Sequence, residues 1–452
     1  MASKELATAS LKRASGVRIW KTSAWCIIAA FGTYFCMYVF RVPFKVSKFN
    51  DPAVWPEGYK IVLVNSQLLG YIISKFLGIK IIAELTRQRR IVGIIFLILI
   101  AEAALLAFGL APTRYKYICL FVNGLPLGMV FGMVLAFLEG RRVTELLSAS
   151  LCASFILADG AAKSLGAYLL HWGVPEVWMP LVAGLIAAGP MAFFVWMLAQ
   201  IPPPTPADVA QRTERVPMDR RQRWRFFLTY AAGLSALLLM YILVTVLRSM
   251  RSDYASEIWS GLLGEGKTPP EIFTSSEVFV TLIVTLTTGL CFLIRDNRRA
   301  FVVSLAVGAV GAALIVASVA GLHYGHLSGF AFMVLVGIGL YLPYVAAQTT
   351  MFERLIAMTR DRGNLGYLIY LADSFGYLGY IVFTTVVRYF DKTPNYLHLF
   401  AVTATCMATA SLASIVFAHV YFGKIGDAAV ETALPEPPVL LPNPAIATVE
   451  GE

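Results

Sequence analysis

Apolar stretches of about 20 residues, the length a helix needs to cross roughly 30 Å of hydrocarbon, recur from Trp25 to Phe422 between short polar breaks. Twelve are counted, over 23–43, 60–83, 90–111, 115–138, 147–170, 178–200, 226–247, 273–294, 300–322, 327–350, 363–388 and 396–422. The pattern predicts an all-α polytopic membrane protein. One long polar stretch, IPPPTPADVAQRTERVPMDRRQRWR at 201–225, divides the helices six and six. Its proline-rich start and basic end cannot bury a core, so it reads as a cytoplasmic linker. The expected organisation is a cytoplasmic N-terminal segment 1–22, a six-helix bundle 23–200, the linker 201–225, a second six-helix bundle 226–422, and a disordered cytoplasmic tail 423–452 with LPEPPVLLPNPA. Lys12, Arg13, Arg18 and Lys21 precede the first span, but no small-residue cleavage site follows, so that span is read as a mature helix.

Composition agrees with this pattern. The chain is 58% hydrophobic and only 14% charged over 452 residues, with a mean hydropathy of +0.71. The formal net charge of +10 would suit a nucleic-acid partner, but the basic residues follow the membrane instead. With the N-terminus inside, inner loops and termini hold about 23 Lys and Arg and outer loops about 9, in clusters such as Arg87/Arg89/Arg90, Arg220/Arg221/Arg223/Arg225 and Arg295/Arg298/Arg299. Both termini are therefore expected in the cytoplasm, with the chain in the plasma (inner) membrane. The six cysteines, Cys26, Cys36, Cys119, Cys152, Cys291 and Cys406, lack paired spacing and read as small buried hydrophobes.

The two halves repeat each other. FILADGAAKSLGAYLL at 155–170 answers IYLADSFGYLGYIVF at 369–383, so Asp159 and Asp373 lie 214 residues apart; Glu139 and Glu353 share that offset. Repeat-built transporters show such symmetry, with a substrate site between the repeats near the midplane. Within GTYFCMYVFRVPF at 32–44, Tyr34, Tyr38 and Arg41 follow helical spacing and are expected on one face. Arg248, in MYILVTVLRSM, takes the matching place near the end of the seventh span. An arginine facing lipid costs about 2.5–3.5 kcal/mol on insertion scales, so a symmetric pair points to a wet internal cavity. Snorkelling to headgroups is the plainer alternative.

These stretches resemble the organophosphate:phosphate antiporters of the major facilitator superfamily. GTYFCMYVFRVPF is similar to that family's first-helix motif, with Arg41 and Phe44 matching and Val42 and Pro43 in place of the usual Lys-Asn. GYIISKFLGIKIIAELTRQRR at 70–90 resembles its second helix, with Ser74, Lys75 and Phe76 matching and Glu84 where the superfamily commonly has Asp. VTVLRSM resembles its seventh-helix motif. The resemblance implies a major facilitator fold and an anion held between the halves by Arg41 and Arg248, with Lys75 nearby along the pore. The fifth-helix histidine of that family is missing between Arg142 and His171, so the resemblance leaves antiport and proton-coupled symport both open. Independently of the likeness, a guanidinium fork matches two oxygens of a phosphate or carboxylate and stays charged in an apolar site.

Tyr34, Tyr38, Gln348 and Tyr344 are further candidate ligands, the last two with Tyr341 in LYLPYVAAQTT, where aromatic packing is the competing role and Pro343 can bend the helix. Asp159 and Lys163, four residues apart, read as an intrahelical ion pair or, with Asp373, as proton-coupling groups or counter-ions. Asp373 has no basic neighbour on its own helix. Glu84 with Arg90, Glu139 with Arg141 and Glu353 with Arg354 read as gate or motif ion pairs. His323 and His326 share an outer turn and make at most a weak metal pair. No phosphate loop, serine elbow or His-Glu-x-x-His pair occurs, so neither an enzyme nor a cofactor is expected. The expected partners are a small anionic solute, phosphorylated or not, with inorganic phosphate or protons as coupling species, and the lipid bilayer, the protein acting as a monomer. A transporter-fold sensor that binds such a solute without moving it is the alternative.

Overall fold

The computed structural model describes residues 22–138, 144–202, 220–359, 365–391 and 394–431. The expected N-terminal segment, most of the linker, the tail beyond 431, Glu139, Arg141 and the side chain of Glu84 lie outside the described residues. The rest is helices and turns. In chain order the helices are α1 (Thr22–Val39), α2 (Tyr59–Glu84), α3 (Arg87–Leu110), α4 (Lys116–Leu138), α5 (Thr144–His171), α6 (Met179–Ala199), α7 (Arg220–Thr229), α8 (Ala231–Asp253), α9 (Ala255–Leu263), α10 (Ile272–Cys291), α11 (Asn297–His323), α12 (Gly329–Ala346), α13 (Phe352–Thr359), α14 (Leu365–Phe390) and α15 (Tyr396–Glu431).

Counted over the described residues alone, ten of these, α12 being counted on through α13, are long and apolar enough to cross a bilayer. The chain is an integral membrane protein. Helices α5 and α14, of 28 and 26 residues, have the length but carry Asp159, Lys163 and Asp373 in mid-helix, which lowers their apolarity. Side chains facing outward are large and apolar, such as Phe96 and Leu99 on α3 and Leu286 and Leu290 on α10, as a surface against lipid requires. Of the cysteines expected to be buried, Cys119 is half-buried and Cys406 is exposed on α15; a small apolar thiol meets lipid without cost.

Side-chain contacts fix which helix ends share a face. Tyr59 donates to the carbonyl of Thr113, Tyr254 stacks on Tyr396 with ring centres 4.4 Å apart, and Arg388 donates to the carbonyl of Gly58 at 2.6 Å. The segments 40–58, 110–116 and 254–272 and residues 394–396 thus gather on one side. On the opposite side Trp25 donates to the carbonyl of Met197 at 2.9 Å, and the start of α11 meets the end of α15. Helices before residue 202 meet those after residue 220 along two main seams, α2 against α14 and α5 against α10.

Two local breaks position the site. Helix α1 stops at Val39, two residues before Arg41, because Pro43 has no N–H to donate to the carbonyl of Val39 four residues back and its ring would clash with that carbonyl. Between α12 and α13 the chain forms a π-helical segment, Ala347–Met351, just after Pro343, and it holds Gln348.

Candidate functional site

Arg41 lies beyond α1 and not on its last turn, so the expected single helical face of Tyr34, Tyr38 and Arg41 is broken there. The turn closes through backbone bonds from Arg41 and Val42 to the carbonyl of Tyr38, at 3.0 and 2.9 Å. The carbonyls freed by this early stop find side-chain donors. Gln67 of α2 donates to the carbonyl of Arg41 at 3.0 Å and to the side chain of Asn123 at 2.8 Å. Asn123 of α4 in turn donates to the carbonyls of Phe40 and Ala101, at 3.1 and 3.0 Å. Such bonds are what a buried, irregular backbone in a membrane requires.

So anchored, the Arg41 guanidinium lies 4.0 Å from the ring centre of Tyr71 and 6.0 Å from that of Tyr38, and the residue is buried. Arg248 stands inside α8 and not at its end, since that helix runs on to Asp253. Its guanidinium lies 4.6 Å from the ring centre of Tyr344 and 5.8 Å from that of Tyr377, and donates to the Tyr377 hydroxyl at 3.2 Å. Tyr71 and Tyr377 pack edge-on with ring centres 5.8 Å apart, so the two guanidiniums line one cluster of tyrosines. Among the described residues neither has a carboxylate partner, and the Nε of each is buried without a hydrogen bond.

Lys75 joins the cluster from α2. Its Nζ lies 2.5 Å from Asp373 of α14, and 5.1 and 4.9 Å from the ring centres of Tyr71 and Tyr377. The cation that Asp373 lacks nearby on its own helix therefore comes across the α2–α14 seam. The other Asp373 oxygen accepts from the Tyr241 hydroxyl and from Gln348 at 3.3 Å. Gln348 also reaches the hydroxyls of Tyr241 and Tyr344 at 2.7 and 3.0 Å. Phe155 of α5 packs edge-on against Tyr344 with ring centres 5.9 Å apart, and Tyr341 lies beside it. Three cations thus face one carboxylate in this cage, a surplus of two positive charges among the described residues.

Sequence reading missed Tyr71, Tyr241 and Tyr377, along with Gln67 and Asn123. The three tyrosines were detectable by spacing: Tyr71 lies four residues before Lys75, Tyr377 four after Asp373, and Tyr241 seven before Arg248, each on its partner's helical face. Gln67 and Asn123 had no such signal, because their role comes from an irregular turn elsewhere.

Asp159 and Lys163 form the intrahelical ion pair, and Ser252 of α8 bridges them, accepting from Lys163 at 3.0 Å and donating to Asp159 at 2.8 Å. Among the described residues Asp159 and Asp373 share no hydrogen-bond partner. The Asp159 cluster belongs instead to a closed face. There Lys45 pairs with Asp253 and Lys60 with Glu257, both at 2.5 Å, and Lys60 also donates to the carbonyl of Lys45 at 2.6 Å. Thr384 donates to Asn65 at 2.8 Å, and the hydroxyl of Thr274 meets that of Ser164 at 2.7 Å. Apart from the Lys60 bond to Lys45, which holds the two lysines together, each of these contacts joins an element before residue 202 to one after residue 220. Burial pushes the Glu257 carboxyl above its ordinary value and the Lys45 amine below its own, although their partners oppose both shifts. Of the expected motif pairs, Arg354 donates to Asn297 at 2.8 Å beside Glu353, and Arg90 stands in the first turn of α3. His323 and His326 are exposed on either side of Tyr324.

A helical membrane chain with a polar cage at the junction of its two helix groups is the class that fold and site define. The chain belongs to the family of unknown function DUF5690, whose model matches residues 43–425. No curated protein matches it. Its fold is similar to the crystal structure of a D-xylose-proton symporter, with a TM-score of 0.56 at 12% identity over 88% of this chain and 97% of that one. It is also similar to a point mutant of the nucleoside transporter NupG, with a TM-score of 0.58 at 14% identity over 89% and 99% of the two chains.

Proposed function

We propose that the chain is a secondary transporter, and not an enzyme, that moves a small anionic solute, a phosphorylated one being the leading candidate. It works by alternating access as an antiporter or proton-coupled symporter. In this reading α5 and α14 join the ten apolar helices as spans, giving twelve in two six-helix bundles of the major facilitator type. Residues 201–225 and both termini are cytoplasmic, in the plasma (inner) membrane. The resemblance of the Arg41, Lys75 and Arg248 stretches to organophosphate antiporters supports the reading, as does the fold shared with two solved transporters.

One observation carries it. Two buried guanidiniums from opposite halves line one cluster of tyrosines, and among the described residues neither has a carboxylate partner. Like charges held together in a low-dielectric site repel unless an anion comes between them. A dianion clamped by both forks would neutralise the cage and leave the Lys75–Asp373 pair in place. Tyr34 and Tyr38 on one side and Tyr344 and Gln348 on the other supply the uncharged walls. The closed face, with Lys45–Asp253 and Lys60–Glu257, is the gate of one conformation. Uptake of labelled hexose phosphate, glycerol phosphate and inorganic phosphate into proteoliposomes, with and without a pH gradient, tests the proposal. Uptake lost in Arg41→Gln is expected. Binding without uptake would favour the sensor, and neither binding nor uptake of any of these anions would overturn the anion clamp.

A further inference from the structure

Helix α7 has chemistry that the cage and the gate do not use. Its ten residues, RRQRWRFFLT, include four arginines and no acid, and it ends at Tyr230, where the backbone leaves helical geometry before α8 begins. Advancing about 100° per residue, Arg221, Trp224, Arg225 and Leu228 fall within a single sector about 100° wide. All four are exposed, Trp224 by 56% and Leu228 by 65%. Within the sector Trp224 and Leu228 take one flank and Arg221 and Arg225 the other.

The opposite side is fixed to the protein. Phe226 is buried and packs on Tyr230 with ring centres 5.3 Å apart, and Tyr230 reaches Phe422 of α15 at 6.4 Å. Among the described residues neither Arg221 nor Arg225 has an ion-pair partner. A short helix at the entrance to a span, with an aromatic and an aliphatic residue beside two unpaired guanidiniums, has the composition of an in-plane interfacial helix. Tryptophan favours the headgroup level, and arginine forks fit phosphate oxygens.

We propose that α7 is an anionic-lipid site: Arg221 and Arg225 hold phospholipid headgroup phosphates while Trp224 and Leu228 sit at the acyl boundary. The site requires only that α8 crosses the membrane, and it stands apart from the transport reading. Its ligand is the bilayer and not a free phosphate, because the apolar flank has no role with a soluble anion.

The test compares wild-type protein with R221Q/R225Q in nanodiscs of phosphatidylcholine with or without phosphatidylglycerol, reading retained phosphatidylglycerol by native mass spectrometry. Basic side chains near an anionic surface give about 1 kcal/mol each, so the double variant is expected to hold phosphatidylglycerol roughly 30-fold more weakly. Should the variant not fold, the same preference measured in wild type across a salt series decides, since an exposed headgroup contact weakens as screening rises. Equal retention by wild type and variant, or a preference that salt leaves unchanged, would overturn the proposal. So would competition by free glycerol phosphate at millimolar concentration.

Discussion

Removing one partner of the Lys75–Asp373 pair is the sharpest perturbation the cage offers. The charged atoms are 2.5 Å apart, and the two side chains are only 11% and 9% exposed, so solvent takes up little of a charge left behind. Breaking a buried pair from one side costs about 3–5 kcal/mol. Lys75→Gln leaves a carboxylate that keeps its bonds to Tyr241 and Gln348, so a loss near 3 kcal/mol is expected. Asp373→Asn leaves an ammonium facing a neutral amide and the rings of Tyr71 and Tyr377, the rings worth about 0.5–2 kcal/mol each, and raises the surplus charge of the cage. Its loss is expected nearer 5 kcal/mol. The double variant removes both charges and should cost less than the sum by at least about 1.5 kcal/mol, the coupling typical of a contacting pair. Equilibrium unfolding of the four proteins in mixed micelles measures the cycle. Additivity to within about 0.5 kcal/mol would show that the two groups do not act as a pair, and the charge count of the cage would then be wrong.

Arg41→Lys and Arg248→Lys are each expected to weaken anion binding roughly 10- to 150-fold, because one charge-assisted bond of about 1.5–3 kcal/mol is lost with the fork; calorimetry with the transported anion that shows near wild-type affinity in both would remove the clamp. Asn123→Leu removes the donor to Phe40 and Ala101 and the acceptor for Gln67, so a stability loss of about 1–3 kcal/mol is expected, with weaker anion binding because the Arg41 turn loosens. An unchanged melting midpoint would contradict this. Glu257 gives the pH dependence. Its carboxyl is held above its ordinary value in the closed face and returns to that value once solvated, so protons bind more tightly to the closed form. Acidification toward the ordinary carboxylate range should therefore favour closure, and a rise in pH through the raised value should favour opening. Spin labels at Asp51 and Lys267 report the distance across the gate, and a pH response that persists in Glu257→Gln would assign it to another group.

The helices were legible because membrane crossing imposes one length and one polarity, and neither requires knowledge of neighbours. Their ends were less so. The stop at Val39 depends on Pro43, which the apolar run conceals, and α8 extends past the apolar boundary because Arg251 and Asp253 are buried by pairing with Glu277 and Lys45. The cage was half visible. Arg41, Arg248, Lys75 and Asp373 stood out as charges where charges are costly, while Tyr71, Tyr241 and Tyr377 looked like ordinary apolar-span residues. The lysine that pairs with Asp373 lies 298 positions away, and no local pattern can connect them. The repeat also misled in one respect. It made Asp159 and Asp373 equivalents, yet a lysine four residues along the same helix captures the first and a lysine from α2 the second.

The two clusters differ in how their charges are balanced, and that difference suits an alternating carrier. Where a buried ion pair is complete, desolvation largely cancels attraction, so separating both partners into water changes the free energy little. Lys45–Asp253 and Lys60–Glu257 are complete pairs, so a face sealed by them can open without the penalty of exposing an equal apolar area, at about 25 cal/mol per Å². Arg41 and Arg248 have no such cancellation. Their repulsion persists until an anion arrives, and the change in charge at that moment is large. In the proposed cycle, a gate near balance responds to a cage far from balance: occupancy of the cage moves the energy, and the gate supplies two states close enough for that energy to choose between them.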